Sequence, residues 1–146
     1  MNFMSLALET AKKSGEDLPI GAVIVKNGEV ISCAHNLKEA KNNPLLHAEM
    51  VAINEAHKKL NSKILEGCEI YVTLEPCPMC MWAIINARVD KLYFGAYDYK
   101  YGAGGSVLDF KKLANSKIEI KGGIMEAECE TLIKNYFKGL RVWKIG

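Results

Sequence analysis

Residues 70–95 run Ile70-Tyr71-Val72-Thr73-Leu74-Glu75-Pro76-Cys77-Pro78-Met79-Cys80-Met81-Trp82-Ala83-Ile84-Ile85-Asn86-Ala87-Arg88-Val89-Asp90-Lys91-Leu92-Tyr93-Phe94-Gly95. Ile70–Leu74 are β-branched, aromatic or aliphatic residues that suit a strand, and Glu75-Pro76 halts it. Cys77 to Ala87 reads as a helix. Pro78 is tolerated in its first turn, where the missing N–H has no intrahelical partner to lose. Leu92–Gly95 is again a strand. A strand, a helix and a strand in succession imply a crossover connection between parallel strands.

Upstream, Phe3, Leu6, Ala7, Leu8 and Ala11 fall at helical spacing within Phe3–Lys13, and Ser14-Gly15 ends that helix. Ile20–Val25 and Val30–Cys33 are β-prone and flank Asn27-Gly28, a strong hairpin signal. Asn42-Asn43-Pro44 is a loop. From His47 to Leu60 the pattern is helical, with Ala48, Val51, Ala52 and Ala56 able to share a face. Downstream come a glycine-rich loop, Gly102-Ala103-Gly104-Gly105, a short strand at Ile118–Ile120 and a final helix at Glu126–Leu140. The order α-β-β-α-β-α-β-(loop)-β-α predicts an α/β fold, a three-layer α/β/α sandwich around a mixed sheet of about five strands. No repeat or linker divides the chain, so residues 1–146 are expected to form one domain.

The composition, 49% hydrophobic and 25% charged, is that of a soluble globular protein, and no apolar run is long enough to span a bilayer. The first residues show neither a basic segment nor a continuous apolar one, so no signal peptide is expected. Five cysteines make no even disulfide framework. Cys33, Cys68 and Cys129 lie in apolar contexts and are expected to be buried thiols, which fits a cytoplasmic location. A net charge of +2 does not by itself announce a nucleic-acid binder. Lys134, Lys138 and Arg141, however, follow i, i+4, i+7 spacing and would form a basic stripe on the last helix.

Chemistry concentrates in His47-Ala48-Glu49 and in Cys77-Pro78-Met79-Cys80, thirty residues on. One imidazole and two thiolates are three good zinc ligands, and a zinc site with three protein ligands keeps a position for water, whereas a structural site takes four. The i, i+3 cysteines share a face at a helix start, where the dipole favours anions. Zinc lowers the pKa of a bound water from about 16 to roughly 7. Glu49 lies about 200° around a helix from His47. It can therefore serve that water only if His47 caps the helix and Glu49 reaches in from the first turn. Its expected role is proton shuttle. Taken singly, these residues would read as a core histidine, half a structural zinc site and a surface acid; it is their joint spacing that argues for catalysis. His57, in Ala56-His57-Lys58-Lys59, reads as a surface residue.

At these residues the chain closely resembles the bacterial tRNA-specific adenosine deaminases of the cytidine deaminase superfamily. The resemblance extends through Pro19-Ile20-Gly21-Ala22-Val23, Asn36, Tyr71–Cys77 into Cys80, Ala83 and Arg88, and the block Phe94–Ser106. It implies a cytidine deaminase-like fold and a cytoplasmic homodimer with one zinc per subunit. The activity implied is hydrolytic conversion of the wobble adenosine of a tRNA anticodon, that of arginine tRNA, to inosine. By position it makes His47, Cys77 and Cys80 the ligands and Glu49 the general acid/base. Asn36 would hydrogen-bond the base, a backbone N–H beside Glu75 would meet the reacting oxygen, and Asp98 and Lys100 would touch flanking nucleotides of the anticodon stem-loop. Leu45-Leu46 and His35 depart from the family pattern, on what is expected to be the pocket wall. Tyr97, Tyr99 and Tyr101 alternate, and in an extended loop their rings would form one platform for splayed bases. An edge strand with one packed side explains that alternation equally well. Two other functions stay open: deamination of free guanine or cytosine, and a non-catalytic zinc-stabilised RNA-binding module, which would need a fourth protein ligand.

Overall fold

A computed structural model describes residues 2–145, with the backbone alone for 141–145. Five helices and five strands follow the expected order. They are α1 (Phe3–Ala11), β1 (Gly21–Lys26), β2 (Glu29–His35), α2 (Ala48–Leu60), β3 (Cys68–Leu74), α3 (Pro78–Asn86), β4 (Lys91–Ala96), α4 (Phe110–Leu113), β5 (Glu119–Lys121) and α5 (Glu126–Ile145). The short α4 lies in the region read as loop, and a 3₁₀ turn, Lys12–Ser14, follows α1.

The strands form one sheet in the order β2-β1-β3-β4-β5. β1 pairs antiparallel with β2 and β3, while β3–β4 and β4–β5 are parallel, so the sheet is mixed. Asn27 and Gly28 both have positive φ, 52° and 75°, which matches the right-handed twist of the hairpin they close. The β1–β2 register shifts between Ile24 and Val25, leaving Ile31 as the extra residue of a bulge.

Alternation along the strands feeds two cores. Ala22, Ile24, Ile70, Val72, Leu92 and Phe94 face α2 and α3, where Ala52, Ala56, Met81 and Ile84 cover them. Val23, Val25 and Ala96 face the other way, onto Met4, Ala7 and Leu8 of α1 and Cys129 of α5. Helices therefore lie on both faces, as the three-layer expectation requires. Each aliphatic side chain brought to zero exposure here, such as Ile24 or Ile70, contributes about 1.5–3 kcal/mol of hydrophobic stabilisation. Cys68 and Cys129 are buried as expected, but Cys33 is exposed. Its neighbour Ser32 points into the α2 side and donates to the Ala52 carbonyl at 2.9 Å. Cys33 thus takes the opposite face of an edge strand, which α1 covers incompletely.

This topology places the carboxyl ends of β3 and β4 side by side, with Leu74 paired to Ala96. Crevices outside the carboxyl ends of strands are the usual ligand sites of α/β sheets. Here that crevice receives the starts of α2 and α3 inside the sheet's breadth, not at a lateral edge.

Candidate active site

His47 is the N-cap of α2, with extended backbone (φ −66°, ψ 154°), and Glu49 falls in the first turn. Cys77 is likewise the N-cap of α3, followed by Pro78 at the first helical position and Cys80 in the first turn. Extended caps turn the His47 and Cys77 side chains away from their own helices and towards each other. The ligand atoms of His47, Cys77 and Cys80 lie within 4.8 Å of one another. The His47 Nδ1 is 3.7 Å from the Cys77 sulfur and 3.5 Å from that of Cys80. Zinc–sulfur and zinc–nitrogen bonds of about 2.3 and 2.0–2.1 Å at a tetrahedral angle span an edge of about 3.5 Å, so the trio fits a zinc ion.

Glu49 is 4% exposed. Burial, the largest influence, pushes its carboxyl up to about 7, while hydrogen bonds from its own N–H and from Cys80 oppose the rise. The carboxylate thus reaches back past its helix start to the metal-type trio. Among the three, protons divide unevenly. Hydrogen bonding from Cys80, then from His47, pulls the Cys77 thiol down to about 4. Cys80 is pushed up, first by its bond to Cys77 and then by burial. His47 is raised by its bond to Cys77. A divalent cation shared by the trio would displace the remaining thiol proton.

His47, Cys77 and Glu49 line a cavity of about 360 Å³, while Cys80 is fully buried. Asn36 is on its wall, 6% exposed. Its amide donates to the Leu18 carbonyl at 3.3 Å and accepts from the Lys38 N–H at 3.1 Å. One amide hydrogen and one lone pair remain for a ligand. Asp98 and Tyr101 form another part of the wall. One Asp98 oxygen accepts from the N–H groups of Lys100 and Tyr101, at 2.9 and 3.0 Å, and closes a tight turn. Lys100 is exposed at the rim, its ammonium 5.2 Å from the Tyr101 ring centre.

Three expectations need correction. The segment Tyr97–Tyr101 is a turn and not extended, so its rings do not form one platform. Tyr97 packs edge-on against Phe94 and stacks with Tyr99, while Tyr101 lines the cavity. Glu75 lines the cavity, but its own polar groups are engaged within the protein. Its N–H donates to the Ala96 carbonyl at 2.9 Å, and its carboxylate accepts from Asp98, Gly104 and Ser106. Pro76 has no N–H, which leaves Cys77 as the nearest main-chain donor. Finally, His35, Leu45 and Leu46 are not among the residues lining the cavity, so these departures do not reshape its wall.

The basic stripe lies on α5, but Lys134 pairs with Glu130 at 3.7 Å, and the Arg141 side chain lies outside the described residues. His57 is half-buried, with its Nδ1 2.6 Å from the Ser62 carbonyl. Three residues without an assigned role in the sequence, Tyr136, Phe137 and Leu140, bring the apolar side of α5 to the cavity. The Tyr136 hydroxyl donates to the Glu16 carbonyl at 3.0 Å and pins that helix. Their i, i+1, i+4 spacing was a readable signal. Asp17 was also missed. It is 2% exposed, lines the cavity, and accepts from the N–H groups of Glu39 and Ala40 at 2.6 and 3.1 Å.

Residues 1–96 match the family described as the cytidine and deoxycytidylate deaminase zinc-binding region. The tRNA-specific adenosine deaminase of Bacillus subtilis is 44% identical over 143 residues, 95% of this chain and 89% of that protein. Among solved structures, one from a study of A-to-I editing by tRNA:A34 deaminases at the wobble position of transfer RNA superposes with a TM-score of 0.86. It is 40% identical and covers 89% of this chain and 97% of that one. A guanine deaminase from Nitrosomonas europaea shares the fold at a TM-score of 0.78, with 23% identity over 91% of this chain and 81% of that one. The chain belongs to the tRNA-specific adenosine deaminases, zinc-dependent hydrolases of the cytidine deaminase superfamily.

Proposed function

We propose that the protein converts the wobble adenosine of a tRNA anticodon, that of arginine tRNA, to inosine. The observation that carries this reading is the buried Glu49 carboxylate beside the His47, Cys77 and Cys80 trio on the wall of a ligand-sized cavity. His47, Cys77 and Cys80 hold one zinc ion per subunit. Zinc in such a site supplies water acidified to near neutrality, the nucleophile that hydrolysis at C6 requires. Glu49, buried beside the trio, takes one proton from the attacking water and passes it to the ring nitrogen, then carries water's second proton to the departing amine. Water's oxygen replaces the amino group, and ammonia leaves. Asn36 retains one donor and one acceptor to hold the base edge. Asp98, Lys100 and Tyr101 stand at the rim, where the flanking nucleotides of an anticodon stem-loop would lie.

The enzyme acts as a cytoplasmic homodimer in this reading. Trp82 and Leu113, 51% and 73% exposed on the neighbouring α3 and α4, supply apolar surface for a second copy. No helix among the described residues is long and apolar enough to cross a membrane.

Incubation with total tRNA, followed by sequencing for inosine, tests the proposal, with ammonia release from free guanine and cytosine measured in parallel. Inosine at the wobble position of arginine tRNA is the expected product. Release from free bases without tRNA editing would assign the site to nucleobases instead, and an inert protein with a fourth zinc ligand would mark a binding module.

A further inference from the structure

The loop from Asp98 to Ser106 follows β4 and carries Asp98 and Tyr101 to the cavity wall. It has almost no regular structure of its own, and a single side chain organises its interior. The Glu75 carboxylate is 2% exposed. Its Oε1 accepts from the Asp98 N–H at 3.1 Å and from the Ser106 hydroxyl. Its Oε2 accepts from the N–H groups of Gly104 and Ser106, at 3.0 and 3.1 Å. A buried carboxylate is tolerated only when its acceptor sites are filled, and no basic partner to Glu75 occurs among the described residues. The loop's main-chain dipoles therefore take the place of a cation.

The loop wraps this carboxylate so closely that one position must lack a side chain. A Cβ at Gly102 would stand 2.5 Å from the Glu75 carboxyl carbon and 2.3 Å from the Asp98 carbonyl oxygen. On the other flank, the Ala103 N–H donates to the Pro76 carbonyl at 2.8 Å. Glu75 and Pro76 immediately precede Cys77. The same two residues therefore tie the pocket rim to the turn that presents the cysteine pair.

We propose that Glu75 is a positioning residue for substrate selection: its buried carboxylate gathers the loop 98–106 and so sets Asp98 and Tyr101 against the cavity, where they grip a base presented in an RNA loop. This inference rests on the tRNA reading of the site. Glu75 touches neither base nor metal-type ligands in this role. It acts through the loop, so its loss weakens RNA recognition more than turnover.

The test is steady-state kinetics of Glu75→Gln on an anticodon stem-loop RNA, with zinc content measured alongside. Glutamine offers one acceptor oxygen and turns a donor towards the remaining N–H groups. The expected result is a rise in KM of about tenfold, a kcat reduced by no more than about threefold, and unchanged zinc. Combining the change with Tyr101→Ala should cost no more than Glu75→Gln alone, because the loop that places Tyr101 is already displaced. Additive effects, an unaltered KM, or a loss of kcat in step with zinc would overturn the proposal. If Glu75→Gln does not fold, Ser106→Ala removes one hydroxyl donor and should raise KM about threefold; an unchanged KM there would count equally against it. A wild-type protein that leaves the RNA unedited would instead refute the tRNA reading itself.

Discussion

The His47 Nδ1 and the Cys77 sulfur stand 3.7 Å apart, although thirty residues separate them in the chain. The two side chains meet because each caps a helix, and α2 follows β2 while α3 follows β3, two strands that run the same way on either side of β1 and so send both helices off from the same end of the sheet. Replacing Cys77 by Ser should therefore lower zinc content towards none. It should also lower the melting temperature, since metal binding to a site made by folding adds to folding stability. Metal analysis and thermal denaturation, with and without a chelator, check both. Full retention of zinc by the variant would take Cys77 out of the ligand set.

Glu49 lies beside that trio at 4% exposure, with burial holding its carboxyl near 7. Glutamine at this position fills the same volume and avoids burying a charge. Glu49→Gln should keep zinc and lose no stability, yet reduce kcat by a factor of about 10²–10⁴, the usual worth of a positioned proton-transfer group. Single-turnover deamination of the stem-loop RNA measures this directly, and near-normal turnover would remove Glu49 from the proton path.

Much of this centre was legible because its logic is local. The separation of His47 from Glu49 makes sense only with a cap and a first turn, and Cys77-x-x-Cys80 needs only a helix start. The layers were legible for a similar reason: the alternation in β1 and β3 sorts Ile24 and Ile70 from Val23 and Tyr71 without reference to distant residues. The rim was not legible. Tyr97–Tyr101 looks extended by alternation, but the chain turns there because Asp98 binds the next N–H groups and Glu75, over twenty residues upstream, draws the loop inwards. Such a contact has no periodicity to reveal it. Cys33 failed likewise, since an apolar neighbourhood in sequence does not say which face of an edge strand a helix covers.

Asp17 supplies a comparable clamp elsewhere on the cavity wall. Its carboxylate holds the Glu39 and Ala40 N–H groups at the start of the loop that leads to His47. Asp17→Ala should cost about 1–3 kcal/mol of unfolding free energy, because a buried charged acceptor of two bonds is lost. Asp17→Asn keeps one acceptor and should cost about half as much. Urea denaturation gives both values, and a weaker zinc affinity in the alanine variant should follow from the loosened approach to His47. Equal stabilities for all three proteins would show that this loop is held by other contacts.

Lys134 and Lys138 separate two readings of α5, an RNA-facing stripe and a solvated helix face. Lys134 is 77% exposed but paired with Glu130 at 3.7 Å, an interaction worth about 0.3–0.5 kcal/mol. To meet a phosphate it must give up part of that pairing. Lys138 is exposed, with no acidic partner among the described residues. If the stripe meets RNA, Lys138→Ala should raise the KM for tRNA more than Lys134→Ala. Removing an ammonium that neutralises one phosphate should also flatten the slope of log affinity against log salt by about 0.7–0.9. Turnover at saturating tRNA should hold, since neither lysine lines the cavity. Filter binding of tRNA across a salt series distinguishes the two lysines. Identical slopes for wild type and both variants would leave α5 as a solvated face whose part in the site is limited to Tyr136, Phe137 and Leu140.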